Sequence, residues 1–150
     1  MPDLCFDDFS PGQMFESRPV IVSREQIIDF ATAFDPNPFH HDEEAARAAG
    51  YPGIIASGFH TLSLSFRLFF DLNLWPTAIL PSPGLAGIKF IQPLFPGQAI
   101  RIRAEVLETI PSRSKPDRGL LRFRHDTMLD TNEVILTAEC LHRLRRREKC

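Results

Sequence analysis

Eight consecutive residues, Asp35-Pro36-Asn37-Pro38-Phe39-His40-His41-Asp42, place two carboxylates, two imidazoles and a carboxamide on one loop stiffened by two prolines. A carboxylate and an imidazole held close together can take up a proton at one point and deliver one at another near neutral pH. Adding water across an activated double bond makes that demand: one group deprotonates water at the first carbon, another protonates its neighbour. The prolines reduce the freedom lost when such groups are fixed. The plainer reading of the loop is a turn followed by a helix cap. For Asp42, as a cap, and His41, as a solvated side chain, that reading suffices.

The flanking elements must carry this loop. Residues 14–22 read as a first strand after the Pro11-Gly12 turn. Ser23, with Gln26 three positions on, forms a capping box, and Ile27, Ile28, Phe30, Ala31 and Phe34 make an apolar face, so the spacing predicts an amphipathic helix over 24–34. The prolines at 36 and 38 push Asp35 and Asn37 out of helical torsions. A short helix, 43–49, ends at Gly50. Ser57-Gly58 opens the longest apolar segment, read as a buried central helix over about residues 58–73. Strands follow over 84–91, from Ile100 to Val106, over 119–129 and over 133–144, each of the last three alternating apolar and polar residues. One strand, then helices, then antiparallel strands describe an α+β layout with one long helix against a sheet.

Bulk composition narrows the function classes. A chain of 150 residues, 43% hydrophobic and 24% charged, has the size and balance of one soluble domain. The net charge of −2 offers no field for nucleic acid. The start, MPDLCFDDF, lacks a signal-like apolar run, and Arg67 and Asp71 interrupt the stretch from Leu62 to Trp75, so neither export nor a membrane span is expected. Cys5, Cys140 and Cys150 have no metal-ligand spacing, and His40 and His41 are adjacent rather than on one helix face. No metal site and no cofactor are therefore expected, and the cysteines suit a reducing cytoplasm. Phe66, Phe69, Phe70 and Trp75 read chiefly as core, with some available to wall an apolar pocket.

The loop at 35–42 resembles the D-x-N-P-x-H-x-D signature of MaoC-like dehydratases and (R)-specific enoyl-CoA hydratases. Gly53-Ile54-Ile55-Ala56-Ser57-Gly58-Phe59-His60-Thr61 is similar to the I-A-x-G segment that opens that family's central helix. Phe90-Ile91-Gln92-Pro93-Leu94-Phe95-Pro96-Gly97 is similar to its F-x-x-P-V-x-P-G-D element. The resemblance runs from about residue 8 to residue 147, with the motifs in family order. It departs at Ser57, where family members often have histidine, at His60, and at Gln98, which stands for the usual aspartate.

The resemblance implies an α+β hot-dog fold, an antiparallel sheet wrapped around a long central helix, as a single domain over 1–150 that forms a homodimer or higher homo-oligomer. It implies Asp35 and His40 as the catalytic pair, Asn37 as a residue that fixes the loop or orients water, and Gly58 as a substrate-binding glycine. A helix-tip N–H at Gly58, with no side chain in the way, could hold a developing enolate oxygen; a tight loop-to-helix contact is the alternative. Ser63 matches a family serine that contacts the catalytic carboxylate, although serines on buried helices often bond back to the preceding turn. His60 reads as a satisfied structural histidine. The basic tail at 144–149, with Arg122 and Arg124, reads as solvated, or as meeting the phosphates of coenzyme A. The expected reaction is reversible hydration of a trans-2-enoyl-CoA to a 3-hydroxyacyl-CoA, with the thioester as substrate and no partner among nucleic acids or membranes. A hot-dog acyl-CoA thioesterase and a non-catalytic acyl-CoA-binding subunit are the alternatives.

Overall fold

The computed structural model describes residues 3–149, and among them six strands form one antiparallel sheet. In chain order the elements are β1 (Met14–Glu16), β2 (Val20–Ile21), α1 (Arg24–Phe34), α2 (Glu43–Ala48), α3 (Gly58–Phe70), β3 (Ile79–Phe90), β4 (Ala99–Pro111), β5 (Arg118–Leu129) and β6 (Val134–Arg145). The sheet order is β1-β4-β5-β6-β3, with β2 also paired to β4. Helix α3 packs on β4, β5 and β6, which is the α+β arrangement expected of the chain.

Alternation explains the three long strands. Ile100, Ile102, Ala104 and Val106 of β4 are fully buried, as are Leu121 and Phe123 of β5, while the intervening arginines and glutamates take the other face. There the charges pair across strands, Arg122 with Glu108 and Glu139 and Arg124 with Glu105, and along β5, Arg124 with Asp126. On the inner face, Phe9, Phe69, Trp75 and Phe123 make edge-on and tilted contacts with centroids 5.3 to 6.0 Å apart. Aromatic quadrupoles favour such packing, and each ring buries a large apolar area.

Three expectations need correction. The first strand is two short ones, because Pro19 lacks a ladder donor and Ser17 stands in for the ladder, its hydroxyl accepting from the Ile102 N–H at 2.9 Å. Strand β3 starts at Ile79, five residues before the expected 84, and runs through Pro81 and Pro83. An edge strand tolerates prolines because one side of its ladder is unused, and the register shifts flanking Gly84 and Gly87 absorb the irregularity. Helix α3 stops at Phe70 and is not buried all round: Phe59 and Phe70 are 60% and 67% exposed, while the polar His60, Thr61 and Ser65 face inward.

Because Phe123 is fully buried in the aromatic cluster, Phe123→Ala should lower the unfolding free energy by about 3–5 kcal/mol. Urea denaturation followed by circular dichroism checks this.

Candidate active site

Helix α1 ends where the sequence says it must. Asp35 is its C-cap, with φ −150° and ψ 75°, its N–H still donating to the Ala31 carbonyl at 2.9 Å. Pro38 then opens a single 3₁₀ turn, Pro38–His40, that swings His40 back toward Asp35. Asp42 closes the loop by capping α2, its Oδ1 accepting from the N–H groups of Glu44 and Ala45. His41 is exposed, its Nε2 3.2 Å from the Pro36 carbonyl oxygen. These are the roles the plainer reading assigns to both residues.

A second segment, residues 53–57, supplies the other wall. Glu43 of α2 holds it, accepting from the Ile54 N–H at 3.2 Å. The Phe39 carbonyl accepts from Ile55 N–H, and Leu94 accepts from Ala56 N–H. Gln98, in place of the family aspartate, serves the neighbouring turn by accepting from the Phe95 N–H at 2.8 Å.

Between these segments the functional groups converge. His40 is buried, its Nδ1 2.7 Å from the Ile55 carbonyl oxygen. A carbonyl only accepts, so Nδ1 carries the hydrogen and Nε2 is the nitrogen left to exchange a proton. That Nε2 stands 3.2 Å from Asp35 Oδ2. The same oxygen accepts from the Ser57 hydroxyl at 2.7 Å, and Oδ1 accepts from the Asn37 amide at 2.6 Å. The Ser57 hydroxyl above all, then the Asn37 amide and the imidazole, hold the Asp35 carboxyl below its ordinary value, against the opposing effect of burial. Asp35 is therefore a carboxylate at neutral pH.

Ser57 has no role in the expectations beyond its departure from the family histidine, yet it is fully buried and does two jobs. While donating to Asp35, its oxygen accepts from the Phe59 N–H at 3.2 Å and caps α3. Its carbonyl takes the N–H groups of His60 and Thr61. The Gly58 N–H has no acceptor among the described residues, and Gly58 lines a cavity of about 220 Å³ together with His40, Ala56, Thr61, Phe90 and Leu94. A Cβ on Gly58 would lie 2.7 Å from the Phe90 ring, so the tight packing contact is present alongside the free donor. Asn37 is exposed and bonds to the carboxylate, so its amide orients Asp35 from outside the cavity.

Ser63 is elsewhere. Its hydroxyl donates to the Phe59 carbonyl at 2.8 Å on the exposed stripe of α3 that carries Phe59 and Phe70. Five residues past Gly58 is nearly one and a half turns, which turns the side chain away from the Asp35 loop. The carboxylate contact expected of Ser63 is made by Ser57 instead. His60 stacks on Phe30 at 4.6 Å but its buried Nδ1 has no hydrogen-bond partner, so it is structural without being satisfied. The arginines suggested for coenzyme A lie apart from this site. Arg122 and Arg124 are ion-paired on the outer face, and Arg146 and Arg147 bond to Asp7 and Asp8.

Likeness to known proteins shows the family and the fold. The MaoC like domain matches residues 8–123, and the chain belongs to that family. The Bacillus subtilis protein YdeM is 36% identical over 109 residues, 73% of this chain and 77% of its own. A MaoC-like dehydratase from Rhodospirillum rubrum superposes with a TM-score of 0.86 at 33% identity, covering 96% of this chain and 98% of its own. The (R)-hydratase PhaJ1 from Pseudomonas aeruginosa shares the fold, with a TM-score of 0.75 at 20% identity over 97% and 88% of the two chains. The sheet curled around α3 is thus a hot-dog fold. No helix among the described residues is long and apolar enough to cross a membrane.

Ser57→Ala should raise the Asp35 pKa toward 3.8 and lower stability by about 1–3 kcal/mol through loss of the cap and of a bond to a charged acceptor. A carboxylate whose folded value lies below its unfolded one stabilises the fold above the unfolded value, and that contribution disappears as pH falls through the folded value. The variant should therefore lose less stability than the wild type between pH 5 and pH 2, roughly the window of carboxylate titration. Carbon-detected NMR titration of Asp35, with urea melts across that range, checks both outcomes.

Proposed function

We propose that the chain is a hydro-lyase that adds water reversibly to a trans-2-enoyl thioester, of coenzyme A or a related carrier, to give the 3-hydroxyacyl product. One observation supports this reading above the rest: a carboxylate and an imidazole Nε2 3.2 Å apart, with that imidazole and Gly58 lining one cavity. Asp35, held ionised, and His40, with Nε2 free to gain or lose a proton, share two tasks. One deprotonates water as its oxygen bonds to the β-carbon; the other protonates the α-carbon. Two proton-handling atoms so close together serve the same face of the double bond, which gives syn addition. As the nucleophile adds, charge moves onto the thioester oxygen, and the Gly58 N–H at the tip of α3 is placed to receive it. Asn37 and Ser57 position the carboxylate. Beyond the site, along the seam between α3 and β3, Phe66, Phe69, Phe70, Leu74 and Trp75 help line an apolar cavity of about 330 Å³ that suits an acyl chain.

A second copy of the chain also belongs to this reading. Strand β3 is an edge, and Leu85, Ile88, Phe90 and the following Ile91 are each 38% to 56% exposed along it. Unpaired apolar edges are ordinarily covered, and Phe90 lines the cavity itself. Edge pairing between copies through β3 would finish the wall.

Loss of enoyl-thioester absorbance across a panel of acyl lengths tests the activity. Asp35→Asn and His40→Ala should each reduce turnover by about 10²–10⁴-fold, with circular dichroism unchanged; wild-type rates in either would overturn the assignment. Thiol release with the enoyl chromophore retained would point to a thioesterase instead. In sedimentation velocity the wild type should run as a dimer or larger, and Ile88→Lys should shift it toward the monomer while lowering turnover.

A further inference from the structure

The strand register builds a second polar cluster that lies apart from the Asp35 loop. His125 on β5 stands opposite Ala138, and Cys140 and His142 follow on the same inner face of β6. All three are buried, and their potential ligand atoms lie within 4.8 Å of one another. The two Nε2 atoms are 3.3 Å apart. Two nitrogens each about 2.0–2.1 Å from one ion, at tetrahedral to trigonal angles, stand about 3.3–3.6 Å apart. This is donor spacing for a metal, assembled from residues 15 and 17 positions apart in sequence.

The surroundings make the cluster costly as a purely structural feature. Phe66, Phe69, Trp75 and Phe123 enclose the imidazoles, with Phe69 stacked on His142 at 5.1 Å and edge-on to His125 at 4.5 Å. One hydrogen shared between two nitrogens leaves His125 Nδ1 buried with no partner, and Thr127 Oγ1, next along the same face of β5, is buried and unpartnered as well. Native interiors rarely leave such groups unsatisfied; an ion held between the two Nε2 atoms would end their sharing of one hydrogen, while leaving the Nδ1 and Oγ1 atoms as they are. A neutral imidazole offers a metal one ring-nitrogen lone pair, and the two Nε2 atoms face each other across the gap an ion would fill.

We infer that His125, Cys140 and His142 bind a single thiophilic transition-metal ion, Cu(I) in preference to Zn(II), beneath the apolar cavity at the far end of α3. On binding, the Cys140 thiol gives up its proton to solvent and coordinates as thiolate, while each imidazole coordinates through Nε2 and carries its hydrogen on Nδ1. No oxidation state changes. The preference for Cu(I) follows from charge. One thiolate and two neutral imidazoles bring Cu(I) to zero net charge but leave Zn(II) at plus one, and no carboxylate belongs to the cluster. An uncompensated charge among aromatic rings is costly, and soft thiolate ligands suit Cu(I). His142 also lines the 330 Å³ cavity, which gives an ion its way in.

The full chain, reduced and kept anaerobic, is titrated with Cu(I) held by a chromophoric chelator, and separately with Zn(II). One equivalent of Cu(I) should bind, raise the melting temperature, and show one sulfur and two nitrogen neighbours by X-ray absorption. Cys140→Ser and His142→Gln should each weaken binding by at least roughly the hundredfold that even the loss of an outer partner can cost. Both are small changes, and unaltered circular dichroism confirms that the variants fold. Zn(II) binding tighter than Cu(I), but lost in the same variants, would keep the site and overturn the charge argument. No saturable binding of either ion, or equal affinity in Cys140→Ser, would overturn the site. Hydratase turnover is measured on the same samples, so failure of the metal site is read separately from failure of the proposed reaction.

Discussion

The bond from His40 Nδ1 to the Ile55 carbonyl orders the rest of the site. It fixes which nitrogen carries the hydrogen, turns Nε2 toward Asp35, and ties the 3₁₀ turn to the segment leading into α3. Because that segment is itself held by Glu43 and Leu94, the imidazole is oriented by backbone that cannot shift without breaking several other bonds. Preorganisation of this sort lets a proton-transfer pair work without paying for its alignment during each turnover.

Ser57 joins this frame to the carboxylate. A hydroxyl can donate once and accept twice, and here it donates to Asp35 while accepting from the first turn of α3. The charge state of Asp35 is thereby coupled to the integrity of the helix whose tip presents the Gly58 N–H. Histidine in that position, as the family often has, could not make both contacts with one atom. Serine thus serves here as a small shared donor and acceptor, leaving Asp35 an ionised, firmly held carboxylate.

Much of this was legible in residue order. The capping box at Ser23 marked the start of α1, Pro36 and Pro38 marked its end, and alternation marked β4, β5 and β6, because these signals act within a few residues of where they are read. Asp35 and His40 were legible because one tight loop carries both. Ser57 and Ser63 were not told apart: a motif gives spacing along a helix, whereas the direction of a hydroxyl depends on which face the helix turns to the loop. The approach of His125 on β5 to His142 on β6 was not legible for a related reason. Their proximity is a matter of strand register, a long-range property that local pattern leaves open. The beginning of β3 was missed because prolines normally argue against a strand, and only its edge position, again a long-range fact, removes the objection.

The edge position of β3 has a further consequence for the site. Phe90, near the end of that strand, comes so close to Gly58 that a methyl group there would collide with its ring, yet Phe90 itself is 56% exposed. A wall residue that is half solvated has nothing behind it to hold it in place. Phe59, which meets Phe90 edge-on at 6.1 Å, and Phe70 at the other end of α3 are exposed as well. The inward side of the site is thus defined by buried backbone hydrogen bonds, and the outward side by apolar side chains that still face water. A reaction that develops charge on a thioester oxygen gains from exclusion of that water. The rigid half of the candidate site therefore lies within one chain, and dryness must come from whatever covers the seam between α3 and β3.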